Sequence, residues 1–161
     1  MSLKSSIFFI LIIVFFASCD KKRVFDEYKS VGKSWNKNTV VDFNLPKMDT
    51  TKRYNLFVNL RANDNYQFNN LFLIVSLEQP DGLVKVDTLE YQMAEADGTL
   101  LGDGFSDIKE SKLFYKSKVQ FKASENNKVH IKQAVRKTGK VVGVENLEGI
   151  TAVGFRIESL E

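Results

Sequence analysis

Past an apolar start, polar and apolar residues alternate along much of this chain. In residues 39–45, Val41, Phe43 and Leu45 fall on one face; in 54–61, Tyr54, Leu56, Val58 and Leu60 do the same. A period of two marks strands with one buried side. Residues 71–77 (LFLIVSL) are nearly all apolar and predict a central strand covered on both sides. Pro80-Asp81-Gly82 then signals a turn, because Pro fixes φ and Gly accepts the positive φ that follows. Residues 83–93 return as the hairpin partner. Further strands are predicted at 118–123 (Val119, Phe121), 128–135 (Val129, Ile131, Val135) and 153–157 (Val153, Phe155, Ile157). Turns fall at Asn126-Asn127, Thr138-Gly139-Lys140 and Glu148-Gly149. Residues 105–115 leave a short helical turn open. Short strands at roughly regular spacing, with no amphipathic helix, predict an all-β fold: an antiparallel β-sandwich or barrel.

The apolar start is a different signal. Lys4 precedes an unbroken run at residues 7–17 (IFFILIIVFFA). A bilayer span needs ~20 apolar residues, whereas the h-region of a signal peptide needs ~7–15. The run ends in Phe16-Ala17-Ser18-Cys19, and Asp20-Lys21-Lys22-Arg23 follows at once. Small residues before a Cys form the pattern of a bacterial lipobox, with Phe16 where Leu is usual. Cys19 is the only cysteine, so the mature chain has no internal disulfide and a lone thiol to account for. Acylation accounts for it, and each buried CH₂ adds ~0.8 kcal/mol of anchoring. The competing reading is an ordinary secreted chain, cut elsewhere, with a free Cys19. The expected division is a lipoprotein signal peptide at 1–18, a lipidated tether at 19–34 and a β-sandwich domain at 35–161. Within the tether, Val24, Phe25 and Tyr28 are apolar enough to dock on the domain.

Composition narrows the function classes. Removing 18 of 161 residues leaves 143, one domain with room for a core that needs no disulfide. The formal charge of +3 falls to about +2 once Lys4 is removed. Lys21-Lys22-Arg23 is the one basic block, so nothing points to nucleic acid. That triplet suits either anionic headgroups, at ~1 kcal/mol per charge, or a solvated tether. His130 is the only histidine and falls opposite the apolar face of its strand, as a surface residue would. No second His or free Cys completes a triad or a zinc site, and no phosphate loop or dinucleotide fingerprint is present. No cofactor or metal is implied, and the chain is expected not to be an enzyme. A glycosidase-like pair of carboxylates would need to face one cleft ~5–9.5 Å apart, and no carboxylates stand out for it.

Two loops carry candidate binding chemistry. Residues 61–70 are rich in amides and aromatics, and Arg61, Asn63, Asp64, Asn65 and Tyr66 form a possible ligand loop for a glycan or peptide. Asn and Asp are also the ordinary residues of long turns. Residues 97–107 separate Asp97, Asp103 and Asp107 by glycines, a spacing that suits calcium or plain turns and is not that of an EF-hand.

Several segments in order resemble the GldH-type gliding motility lipoprotein family. They are Cys19-Asp20, Arg23-Val24-Phe25-Asp26-Glu27-Tyr28-Lys29, residues 54–61 (YNLFVNLR), residues 70–77 (NLFLIVSL) with Pro80-Asp81-Gly82, Asp87-Thr88-Leu89-Glu90-Tyr91, residues 145–151 (ENLEGIT) and residues 153–158 (VGFRIE). The resemblance runs from the lipobox nearly to the C-terminus. It implies a membrane-anchored, non-enzymatic lipoprotein of the gliding apparatus, with membrane lipid on Cys19 and other gliding or secretion machinery proteins as partners. It implies no site residue beyond Cys19. The basic residues after Cys19 lack an acidic export run, so the expected place is the outer membrane with a periplasm-facing domain. Residues 149–158 also resemble the last strand of jelly-roll carbohydrate-binding modules, which makes a glycan-binding module of the cell envelope the alternative function.

Overall fold

In the computed structural model, residues 20–104 and 106–160 are described. The expected signal peptide at 1–18 and Cys19 lie outside the described residues. The chain forms strands β1 (Arg23–Ser30), β2 (Ser34–Asn36), β3 (Val41–Asn44), β4 (Tyr54–Asn63), β5 (Asn70–Glu78), β6 (Val84–Gln92), β7 (Ile108–Val119), β8 (Lys128–Gln133), β9 (Asn146–Glu148) and β10 (Ile150–Ser159); β3, β4, β5, β6, β8 and β10 correspond to segments predicted as strands. They form two four-stranded antiparallel sheets, in the orders β1-β10-β4-β7 and β3-β8-β5-β6, and a short β2-β9 pair. With that short pair set aside, eight strands remain. The first, eighth, third and sixth make one sheet, and the second, seventh, fourth and fifth make the other. This is jelly-roll winding: the alternation predicted an all-β antiparallel sandwich or barrel, the resemblance of residues 149–158 implied a jelly roll, and a jelly-roll-like sandwich is the fold observed.

The core lies between the sheets because each strand turns its apolar side inward. Leu56, Val58 and Leu60 of β4 and Val153, Phe155 and Ile157 of β10 are fully buried against Leu71, Leu73 and Val75 of β5 and Val129 and Ile131 of β8. Aromatic rings join the layers: Phe43 lies 6.2 Å from Phe155 and 6.4 Å from Phe25, centroid to centroid. Trp35 is buried, with its Nε1–H donated to the Thr39 carbonyl at 3.0 Å.

Four segments differ from the expectation. Residues 23–30, read as tether, form the edge strand β1, which pairs with β10 from Arg23↔Glu158 to Ser30↔Ala152. Pairing covers the otherwise open edge of an apolar strand, and Phe25 brings core-facing surface with it. Only residues 20–22 separate Cys19 from this strand. β5 is central, but only one of its faces is covered: Leu71, Leu73, Val75 and Leu77 are buried, while Phe72, Ile74 and Ser76 are half-buried. No layer of the described residues lies over its outer side. Residues 108–119 extend as β7 with no helical turn. The strand predicted at 118–123 breaks instead, because Lys118 takes a positive φ of 55°; Phe121 reaches the core from the loop beyond.

Every long strand runs between two ends of the sandwich. The end nearest Cys19 gathers residues 20–23, 45–53, 79–83, 120–127 and 159–160. Its loops are joined by Leu45 N–H to the Asn127 carbonyl (2.9 Å), Ser159 N–H to the Lys22 carbonyl (2.8 Å) and Leu160 N–H to the Arg53 carbonyl (3.1 Å).

Candidate functional site

The outer face of the β1-β10-β4-β7 sheet carries the densest polar and aromatic constellation. Register sets it out in rows: Asp26, Arg156, Phe57 and Phe114 lie side by side, and so do Tyr28, Gly154, Asn59 and Lys112. On β10, Arg156 and Glu158 point outward because Phe155 and Ile157 take the core side. The Arg156 guanidinium is shared among three carboxylates. Nη1 donates to Asp26 Oδ2 at 2.7 Å, Nε donates to Glu158 Oε1 at 2.7 Å, and Nη2 pairs with Asp20. Lys112 Nζ reaches the same Glu158 oxygen at 2.6 Å. Asn59 Nδ2 donates to Asp26 Oδ1 at 3.1 Å. The hydrogen bond from Arg156 holds the Asp20 carboxyl below its ordinary pKa of 3.8. For Glu158, burial works against the charged form, but the bonds from Lys112 and Arg156 outweigh it and hold the carboxyl below 4.5. The residue that directly follows Cys19 is thereby clamped to the sheet.

Gly154 makes this face possible. A Cβ there would lie 2.9 Å from the Glu27 carbonyl oxygen, 3.0 Å from Tyr28 Cδ1 and 3.1 Å from Asn59 Cβ. The space it leaves lets Tyr28 lie across the sheet, where the Arg61 guanidinium stacks 4.3 Å from its ring centroid and pairs with Glu110 at 2.7 Å. Phe57 and Phe114 meet edge-on at 6.0 Å, and the Lys112 ammonium sits 4.2 Å over Phe57. Phe114 remains 54% exposed. Their 77° interplanar angle makes an angular patch and not a flat row on which sugar rings would stack.

The five residues of the possible ligand loop do not converge. Arg61 belongs to β4 and turns to the Tyr28 face. Asn63 Oδ1 accepts the Asn65 N–H at 3.1 Å, the side-chain bond of an ordinary turn. Asp64 and Asn65 are exposed, whereas Tyr66 is buried and donates its hydroxyl hydrogen to the Asn70 carbonyl at 2.9 Å. The glycine-spaced loop is likewise built from turns: Asp97 Oδ1 accepts the Thr99 N–H at 2.9 Å. Among the described residues, no group of three or more His, Cys, Asp and Glu side chains is placed to hold a metal ion.

His130 is not a simple surface residue. Its register places it beside Asp42 of β3 and close to Glu78 of β5. Nδ1 lies 2.6 Å from Asp42 Oδ1 and Nε2 lies 2.9 Å from Glu78 Oε2. Burial disfavours the imidazolium, yet these two bonds outweigh it and raise the pKa above 6.5. The sequence pattern gave the outward direction of His130 but not these partners, which only the strand order supplies. The aromatic face had no sequence signal either, since its members come from four separate strands.

These features define a class: a jelly-roll domain clamped at its chain entry, with an aromatic and charged outer face. Comparison with known proteins identifies the family. The family described as GldH lipoprotein matches residues 23–157. The gliding motility lipoprotein GldH of Flavobacterium johnsoniae is 66% identical over 158 residues, covering 98% of each chain. A GldH homolog from Christiangramia forsetii is 54% identical over 150 residues, covering 93% of this chain and 92% of its own. No solved structure matches. The chain belongs to the GldH family of gliding motility lipoproteins, which makes it a lipid-anchored protein of the cell envelope.

Proposed function

We propose that this lipoprotein is a non-enzymatic component of the gliding machinery, acylated on Cys19 and acting through contacts with other gliding or secretion proteins. The observation that carries this reading is the outer face around Phe114. Exposed Phe114 packed on half-buried Phe57, with Arg61, Glu110, Lys112 and Glu158 on the same face, has the make-up of an interface centre, where aromatic and Arg side chains concentrate binding energy inside a polar rim. Lipidation at Cys19 is supported by its being the chain's only cysteine and by the short apolar run before it. The domain faces the periplasm from the outer membrane, a placement supported by the basic residues that follow Cys19.

The test is complementation of a deletion strain with Cys19→Ser. Loss of palmitate labelling together with loss of gliding supports the proposal. Gliding by the deletion strain itself, or full gliding by a variant that takes up no palmitate, contradicts it. Protease applied to whole cells should spare the domain until the outer membrane is opened; rapid loss from intact cells contradicts the periplasmic placement.

A further inference from the structure

We propose that the end of the sandwich nearest Cys19 is a membrane-docking surface, seated on the anionic phospholipid headgroups of the bilayer that holds the anchor. This rests on acylation of Cys19. Three separate segments bring cations to that end. Lys21, Lys22 and Arg23 lead into β1; Lys52 and Arg53 lead into β4; Lys118 closes β7. Backbone pairing fixes them as neighbours. Ser159 N–H bonds the Lys22 carbonyl, Leu160 N–H bonds the Arg53 carbonyl, and Tyr54 is in register with both Ser159 and Val119. Strands lie ~4.8 Å apart, so the four strand ends span roughly 15 Å.

No direct ion pair among the described residues ties these cations down, although Arg23 and Lys52 lie close enough to Asp20 and Asp49 to help lower those carboxyls' pKa. None of the ion pairs among the described residues uses Lys21, Lys22, Arg23, Lys52, Arg53 or Lys118. Asp20 is taken by Arg156, and Glu158 by Arg156 and Lys112; Asp49, bonded by Thr51, and Asp81, bonded by the Leu83 N–H, keep their charge, so the six cations outnumber the two unpaired acids of these loops. Two apolar side chains stand among the cations, Leu160 at 42% and Val24 at 38% exposure. Cations around small apolar projections suit the headgroup boundary. The geometry of the anchor selects this end and no other. Asp20 is clamped by Arg156, and Cys19 is the residue directly before it in the sequence.

The mature chain carrying Cys19→Ser, mixed with phospholipid vesicles, isolates this surface from the anchor. It should sediment with vesicles of phosphatidylcholine containing phosphatidylglycerol, be released by added salt, and stay in solution with pure phosphatidylcholine. Each cation is worth about fivefold in partitioning, so K22Q/R53Q should lower it about 25-fold. K137Q/K140Q, in the Gly139 turn at the opposite end, should leave it unchanged. No sedimentation with the anionic vesicles overturns the proposal, as do equal losses from both double variants or no loss from K22Q/R53Q. Because this chain carries no lipid, such a failure leaves acylation of Cys19 standing, and palmitate labelling judges that separately.

Discussion

Replacing Arg156 with Ala removes one guanidinium from three carboxylates. Asp26 and Glu158 matter most, since their side chains are only 18% and 15% exposed. A hydrogen bond to a charged group contributes ~1.5–3 kcal/mol. The two losses do not add in full, because Asn59 still serves Asp26 and Lys112 still serves Glu158. The expected destabilisation is therefore about 3 kcal/mol, which for a domain of this size lowers Tm by roughly 10 °C. Thermal unfolding followed by circular dichroism measures it. The pH dependence supplies a second, sharper check. Glu158 has a depressed pKa, so its contribution is full above 4.5 and is lost as pH falls through the lower folded value. The gap between R156A and the native chain should be wide at neutral pH and narrow as the pH drops below 4.5. Arg156→Lys should fall between the two, because an ammonium cannot fork to three acceptors as a guanidinium does. A Tm for R156A within ~2 °C of native, or a gap as wide in acid as at neutrality, refutes the reasoning.

Two other perturbations test separate parts of the fold. Gly149 has φ +84°, and a Cβ there would lie 2.1 Å from the Tyr66 backbone nitrogen. Gly149→Ala should cost more than ~3 kcal/mol or abolish soluble expression, and a native melting curve would contradict that. His130 has a raised pKa, so its ion pairs stabilise fully below 6.5 and weaken as pH rises through the folded value. His130→Gln should cost about 0.5–1 kcal/mol on the acid side of that window and nothing measurable well above it; a loss independent of pH would show that the pairs with Asp42 and Glu78 are not its source.

The strands were legible because their signal is local. Val41 and Phe43, or Leu56, Val58 and Leu60, declare their buried side at a spacing of two residues. Long-range pairings were not legible. Arg156 meets Asp26 and Asp20 across separations of 130 and 136 residues, and His130 meets Asp42 across 88. No window of sequence contains both partners. Tyr66 misled for a related reason. It sits among amides that look like exposed loop, but Gly149, far along the chain, leaves the space that lets its backbone pack inward. Arg23 to Ser30 is too polar to declare itself a strand, since only Phe25 and the half-buried Tyr28 and Lys29 turn towards the protein; its order comes from the edge of β10.

The central claim is that this lipoprotein works by holding a partner on the face around Phe114. A photo-crosslinking residue placed at Phe114 in gliding cells tests it most directly, with Val86, 61% exposed on the outer face of the opposite sheet, as the control position. The account predicts a discrete crosslinked envelope protein from Phe114, none from Val86, and loss of the product with Cys19→Ser. No product from Phe114, or the same product from both positions, would contradict it.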